Sequence, residues 1–162
     1  MQELPHYYAV AAYAETAGDV ALDSNRLPAL PTATPPEFGG PGDRWSPETL
    51  LVGSLVDCFA LTFRGVSRAS NLQWIELRCE ASGTLDRVDG LMQFTDFEIQ
   101  AYVQLPVGGN IDLAQRVLEK AERTCLVANS LKAPVRLKVV TSFLDRSATS
   151  ARQFPGPATV QR

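Results

Sequence analysis

The chain is short of histidine and of clustered positive charge, and each shortage excludes a class of chemistry. His6 is the single histidine among 162 residues. With no Cys-x-x-Cys pair and no Cys/His cluster beside it, a zinc centre of the usual nitrogen and sulfur ligands has no donor set. A Ser-His-Asp triad would have to borrow that one imidazole, near the start of the chain. Lys and Arg number 15 against 18 Asp and Glu, for a formal net charge of −3. No basic cluster offers the footprint that a nucleic acid requires. Met1-Gln2-Glu3-Leu4-Pro5 lacks the basic and apolar regions of a secretory leader. No apolar run approaches the roughly 20 residues that span a bilayer. The expectation is a soluble, cytoplasmic protein with no metal or cofactor, no nucleic-acid partner and no membrane partner. Without a secretory signal, three cysteines do not read as a disulfide framework.

What is present suits one globular domain. The length is enough to bury a core, and 45% hydrophobic with 20% charged residues is ordinary for a soluble fold. His6 to Ala14 and Asp19 to Ser24 read as short strands joined at Ala17-Gly18. Pro28 to Pro47 is rich in proline and glycine and reads as one long loop, of a length that tends to be functional. Ser46-Pro47-Glu48 opens a helix: a serine N-cap, proline in the first turn and a carboxylate at the positive end of the dipole. That helix runs to about Arg68, with apolar residues around most of its girth, so a central position covered on several sides is expected.

Ile75 to Ala81 and Phe97 to Leu105 alternate with period two, odd positions inward, and Asp89-Gly90 between them signals a hairpin. Ile111 to Arg123 has helical spacing through Ala114, Val117, Leu118 and Ala121, with Cys125 on or near the same face. Val135 to Thr141 gives a last strand. The predicted class is α+β, with antiparallel sheet wrapped around two central helices. Residues 1–145 form a single domain in this reading, and residues 146–162 a polar, mobile tail.

Each cysteine has a bland reading and a chemical one. Cys79 alternates with apolar residues on a strand and behaves as a small hydrophobe. Cys58 and Cys125 also lie on apolar faces, but on two helices expected to pack centrally, where the thiols can meet. Ser54 and Asp57 near the first, and Thr124 and Asn129 near the second, are polar for an inert core.

Three stretches carry a resemblance: Gly39-Gly40-Pro41-Gly42, then Ser46-Pro47-Glu48-Thr49-Leu50-Leu51 leading to Cys58-Phe59, and Cys125-Leu126-Val127-Ala128-Asn129. Cys58 follows Glu48 by ten residues. Together they resemble the OsmC/Ohr peroxidases, and the order of strands and helices agrees over nearly the whole chain. The resemblance implies an intertwined homodimer with two sites at its interface. It implies Cys58 as the thiolate that attacks a peroxide and Cys125 as the thiol that resolves the sulfenic acid. It implies Glu48 in a polar network with an arginine that orients the peroxide. It implies an external dithiol, often a lipoyl group or lipoylated protein, as reductant, and no bound cofactor.

Physical chemistry agrees with that division of labour. The thiolate is the nucleophile and needs a nearby cation or donor, and a sulfenic acid is rescued only by a second thiol within reach. A disulfide requires the two Cα atoms within about 7 Å. Ten residues of helix rise about 15 Å, so either the first turn bends back or Glu48 serves the other subunit's site. Two departures point to a divergent OsmC-like branch. The Ohr branch has an arginine in Gly-Gly-Arg-Asp where this chain has Thr16-Ala17-Gly18-Asp19, leaving Arg44 or Arg26 to supply the cation. Leu126 follows Cys125 where the Ohr branch commonly has proline. Trp45, Phe38, Phe59 and Phe63 are candidates to line an apolar peroxide pocket, the two helix residues also reading as core. The alternative function is a non-catalytic protein of the same fold that binds a small hydrophobic ligand at the dimer interface.

Overall fold

The computed structural model describes residues 3–144; the polar tail predicted from residue 146 onward lies outside them. The chain divides into two compact units, Met1–Leu51 and Val52–Arg162.

In the first unit, β1 (Ala11–Tyr13), β2 (Val20–Asp23) and β3 (Leu30–Thr32) form an antiparallel sheet in the order β1-β2-β3. The predicted hairpin is there, with Gly18 at φ 95° in the turn, although β1 is shorter than the apolar stretch suggested. The stretch read as one long loop instead holds β3 and a 3-10 turn, Pro36–Phe38. Prolines hid the strand. Pro31 sits opposite Ala21 on an edge strand, where a residue without an N–H is tolerated. In the turn that follows, Gly40 is packed tightly: a Cβ there would lie 1.5 Å from the Thr34 carbonyl oxygen. The segment is therefore a folded turn in which Ala33 N–H donates to the Trp45 carbonyl at 2.9 Å.

The helix α1 (Pro47–Ala69) starts where predicted. Ser46 N–H donates to Thr49 Oγ1 at 2.8 Å, and Thr49 N–H donates back to Ser46 Oγ at 3.2 Å. This is a reciprocal cap with threonine in the place usually held by Glu or Gln.

The second unit holds β4 (Glu76–Val88), β5 (Leu91–Leu105), α2 (Ile111–Thr124), α3 (Leu126–Ser130) and β6 (Val135–Phe143). β4 and β5 pair antiparallel across Asp89-Gly90, both at positive φ (51° and 83°), as a type I′ turn requires. The odd positions of β5, from Phe97 to Leu105, are all buried, so the parity read from the sequence holds. β6 departs from the antiparallel expectation and joins β5 in parallel, Phe97 opposite Val135 through Leu105 opposite Phe143. The α2–α3 crossover returns the chain to the end at which β5 began, which is the kind of connection a parallel pair needs. The class remains α+β.

Two expectations about α1 change. Within one chain only Leu55, Phe59, Phe63 and Ser67 are buried on it, a single stripe at spacing four, rather than a helix covered on several sides. The rest of its apolar girth is partly open, Leu61 being 54% exposed. By length and composition α1 also meets the requirement for a membrane span, at mean hydropathy 1.5, correcting the reading that no run approached it. Ser, Thr and Gly interrupt the run of large apolar residues without lowering its mean hydropathy enough.

Candidate active site

The site is built from one turn of α1 and the corner between α2 and α3. Cys125 is not inside a helix, as its spacing from Ala121 suggested, but at the junction. It is the C-cap of α2 and the N-cap of α3, with φ −67° and ψ 116°. Asn129 holds that corner. Its N–H donates to the Cys125 carbonyl at 3.0 Å, and its side-chain amide donates to the Arg123 carbonyl at 3.1 Å. At the first turn of a helix the leading N–H groups have no partner within the helix, and here they are turned toward sulfur.

Cys58 is half-buried on α1 and Cys125 is buried; both are free thiols. The structure brings them into hydrogen-bond contact. Burial pushes the Cys58 thiol up, but it is outweighed by the Val127 N–H, the Cys125 thiol, the Leu126 N–H and the Thr62 hydroxyl. All four hydrogen-bond to Cys58, leaving its pKa below the ordinary thiol value. Thr62 stands four residues after Cys58, one helical turn along. Cys125 moves the opposite way. Burial raises it, and its hydrogen bond and charge interaction with Cys58 raise it further against the Ala128 and Val127 N–H groups. The pair thus has one sulfur disposed to be thiolate and one disposed to keep its proton.

The other residues singled out in the sequence divide. Cys79, on β4, is pushed up to about 12 by burial, in keeping with a structural role. Phe59 and Phe63 are core residues, Phe63 meeting Trp74 edge-on at 5.2 Å. Phe38 and Trp45 are exposed in the first unit.

Arg44 lies in that unit too, its Nε donating to Asp19 Oδ2 at 2.8 Å and its Nη1 to Asp43 Oδ2 at 3.0 Å. Arg26 occupies a left-handed turn position at φ 64°. Glu48 stands in the first turn of α1, and its Oε2 is buried without a hydrogen-bond partner among the described residues. Because α1 is continuous from Pro47 through Cys58, its first turn does not bend back. The donors missed in the sequence are Thr62, Leu126 and Val127. Spacing four from Cys58 was the available signal for Thr62, whereas backbone N–H groups leave none.

Known proteins share this plan. A family described as OsmC-like protein matches residues 40–140. The uncharacterized protein YmaD of Bacillus subtilis is 25% identical over 141 residues, covering 85% of this chain and 93% of its own. An OsmC-like protein of unknown function from Vibrio cholerae superposes with a TM-score of 0.75 at 12% identity, covering 84% of this chain and 100% of the other. An organic hydroperoxide resistance protein OsmC from Legionella pneumophila, also described as a predicted redox protein, gives a TM-score of 0.68 at 21% identity, over 88% and 100%. With the family match running from the glycine-rich turn through both site cysteines and on into β6, this chain belongs to the OsmC-like protein family.

Proposed function

We propose that the protein is a thiol-dependent peroxidase that reduces organic hydroperoxides through Cys58 and Cys125. One observation carries the reading: donors converge on Cys58 and lower its pKa while it is in hydrogen-bond contact with a second thiol whose own pKa is raised. Lowering a thiol's pKa enlarges its fraction of thiolate, the nucleophilic form, and the neighbouring thiol is the group needed to rescue the sulfenic acid.

The cycle balances with these two residues. The Cys58 thiolate attacks the terminal peroxide oxygen and the O–O bond breaks. The alkoxide leaves, takes a proton from solvent and becomes the alcohol, and Cys58 becomes a sulfenic acid. Cys125 then attacks that sulfur, and its proton departs with the hydroxide as water, leaving a disulfide. A dithiol, by family resemblance of lipoyl type, returns both cysteines to thiols and is itself oxidised to a disulfide. The hydroperoxide resistance protein among the solved relatives supports the substrate class.

We assign Glu48 the peroxide-orienting role in a homodimer, on the strength of its unpartnered buried oxygen. A second copy, rather than lipid, is the proposed cover for the open face of α1. That face carries Asp57, Leu61 and Arg64 at spacings of four and three, and a charge near mid-span, here Asp57, is costly in a bilayer. Sedimentation should show a dimer that Leu61→Asp dissociates; a wild-type monomer at assay concentrations would remove the homodimer.

The activity test is consumption of cumene hydroperoxide supported by dihydrolipoamide. Turnover is expected in the wild type and not in Cys58→Ser. Equal rates in the two would end the peroxidase reading.

A further inference from the structure

We infer that the external reductant attacks the sulfur of Cys58 and never that of Cys125, so that every mixed disulfide of the reductive half-cycle is carried by Cys58. The inference rests on the Cys58–Cys125 disulfide proposed above and adds the direction from which that bond is opened.

Access supplies the argument. Cys125 has 0% of its surface exposed within a single chain. A second copy can only remove surface, so assembly does not uncover it. It closes the buried face of α2 formed by Ala114, Val117, Leu118 and Ala121. Cys58 is only half-buried. Thiol–disulfide exchange requires the incoming thiolate to touch the sulfur it bonds.

Leaving-group chemistry pulls the other way. Cys58 is lowered and Cys125 raised, and the lower-pKa sulfur leaves faster. That preference scales a rate, whereas a sulfur without surface offers no approach at all, so access decides. The departing Cys125 is also assisted, since the Ala128 and Val127 N–H groups hydrogen-bond to its sulfur.

The step then runs as follows. One thiolate of the dithiol bonds to Cys58 Sγ and the Cys58–Cys125 bond breaks. Cys125 leaves as thiolate and takes up a proton, becoming again the S–H donor to its neighbour. The second thiolate of the reductant attacks the reductant's own sulfur in the mixed disulfide, and Cys58 leaves as the thiolate that its donors favour. Two electrons pass from the dithiol to the protein disulfide.

The test uses the intact protein, oxidised with one equivalent of cumene hydroperoxide or, separately, with diamide. The second preparation distinguishes failure of the peroxidase reading from failure of this route. Each is mixed with one equivalent of N-acetylcysteine, a monothiol that cannot complete the second exchange from within the adduct. The mixture is trapped in N-ethylmaleimide with guanidinium and mapped by mass. The expected result is N-acetylcysteine on the Cys58 peptide, maleimide on the Cys125 peptide and no N-acetylcysteine on Cys125. Adduct on Cys125, or shared equally, overturns the inference. So does exchange that occurs only after unfolding, or the absence of a Cys58–Cys125 disulfide with both oxidants.

Discussion

Cys58 and Cys79 are both half-buried thiols, yet their surroundings drive them in opposite directions. On the strand β4, Cys79 meets burial alone and is pushed up to about 12. On α1, Cys58 pays the same kind of desolvation but falls below the ordinary thiol value, because peptide N–H groups, a hydroxyl and a thiol point at it. Exposure therefore does not separate the two thiols. The directed donors do: the Val127 and Leu126 N–H groups and the Cys125 thiol from the α2–α3 corner, and the Thr62 hydroxyl from α1 itself.

The largest effect that comparison predicts is on turnover. Cys58→Ser should lower hydroperoxide consumption at least about a thousandfold, the scale of loss on removing a covalent nucleophile, whereas Cys79→Ser should leave it within about twofold. Steady-state assays of the two variants side by side check this, and a comparable loss in both would break the contrast.

Next is selective alkylation. With its pKa at about 12, Cys79 holds a thiolate fraction near neutral pH of only about 10⁻⁵. Iodoacetamide at pH 7 should therefore modify Cys58 long before Cys79 in the folded protein. Mapping the modified peptides over time reads the order directly, and equal rates would mean that the donors do not act.

The smallest effect isolates one donor. Thr62→Val should raise the Cys58 pKa, because the hydroxyl's hydrogen bond to that sulfur is lost, and Thr62→Ser should restore it. The sign follows from which form the hydroxyl favours: it stabilises the thiolate, so its loss shifts the rise of reaction rate with pH to higher pH. Arg44→Ala, which removes a guanidinium already held by Asp19 and Asp43, should move the profile less than Thr62→Val. Ultraviolet titration of the thiolate checks all three.

Much of this fold was legible because patterning and turn chemistry agreed. The period-two stretches became β4, β5 and β6, Asp89-Gly90 became the hairpin, and Ser46 capped α1. β3 was hidden because prolines read as loop, and only its edge position makes Pro31 acceptable in a strand. The parallel placement of β6 was not visible either, since alternation sets which face a residue takes and not which way its strand runs. At the site, residue pattern left Cys58 and Cys125 open between core and chemistry, and the family resemblance singled them out. The largest of the donors to Cys58 is the Val127 N–H, followed by the Cys125 thiol and the Leu126 N–H; every residue but proline possesses such an N–H, and only a three-dimensional corner can aim it. The sequence pattern makes α1 apolar around most of its girth and covered on several sides, whereas a single chain buries only one stripe of it.

The central claim is that Cys58 and Cys125 form a peroxide-driven redox pair, and thiol counting under anaerobic conditions tests it most directly. Reduced protein treated with one equivalent of cumene hydroperoxide should lose two thiols, recovered by mass mapping as a Cys58–Cys125 disulfide, with Cys79 intact and no disulfide in Cys58→Ser. Survival of all three thiols would contradict the account.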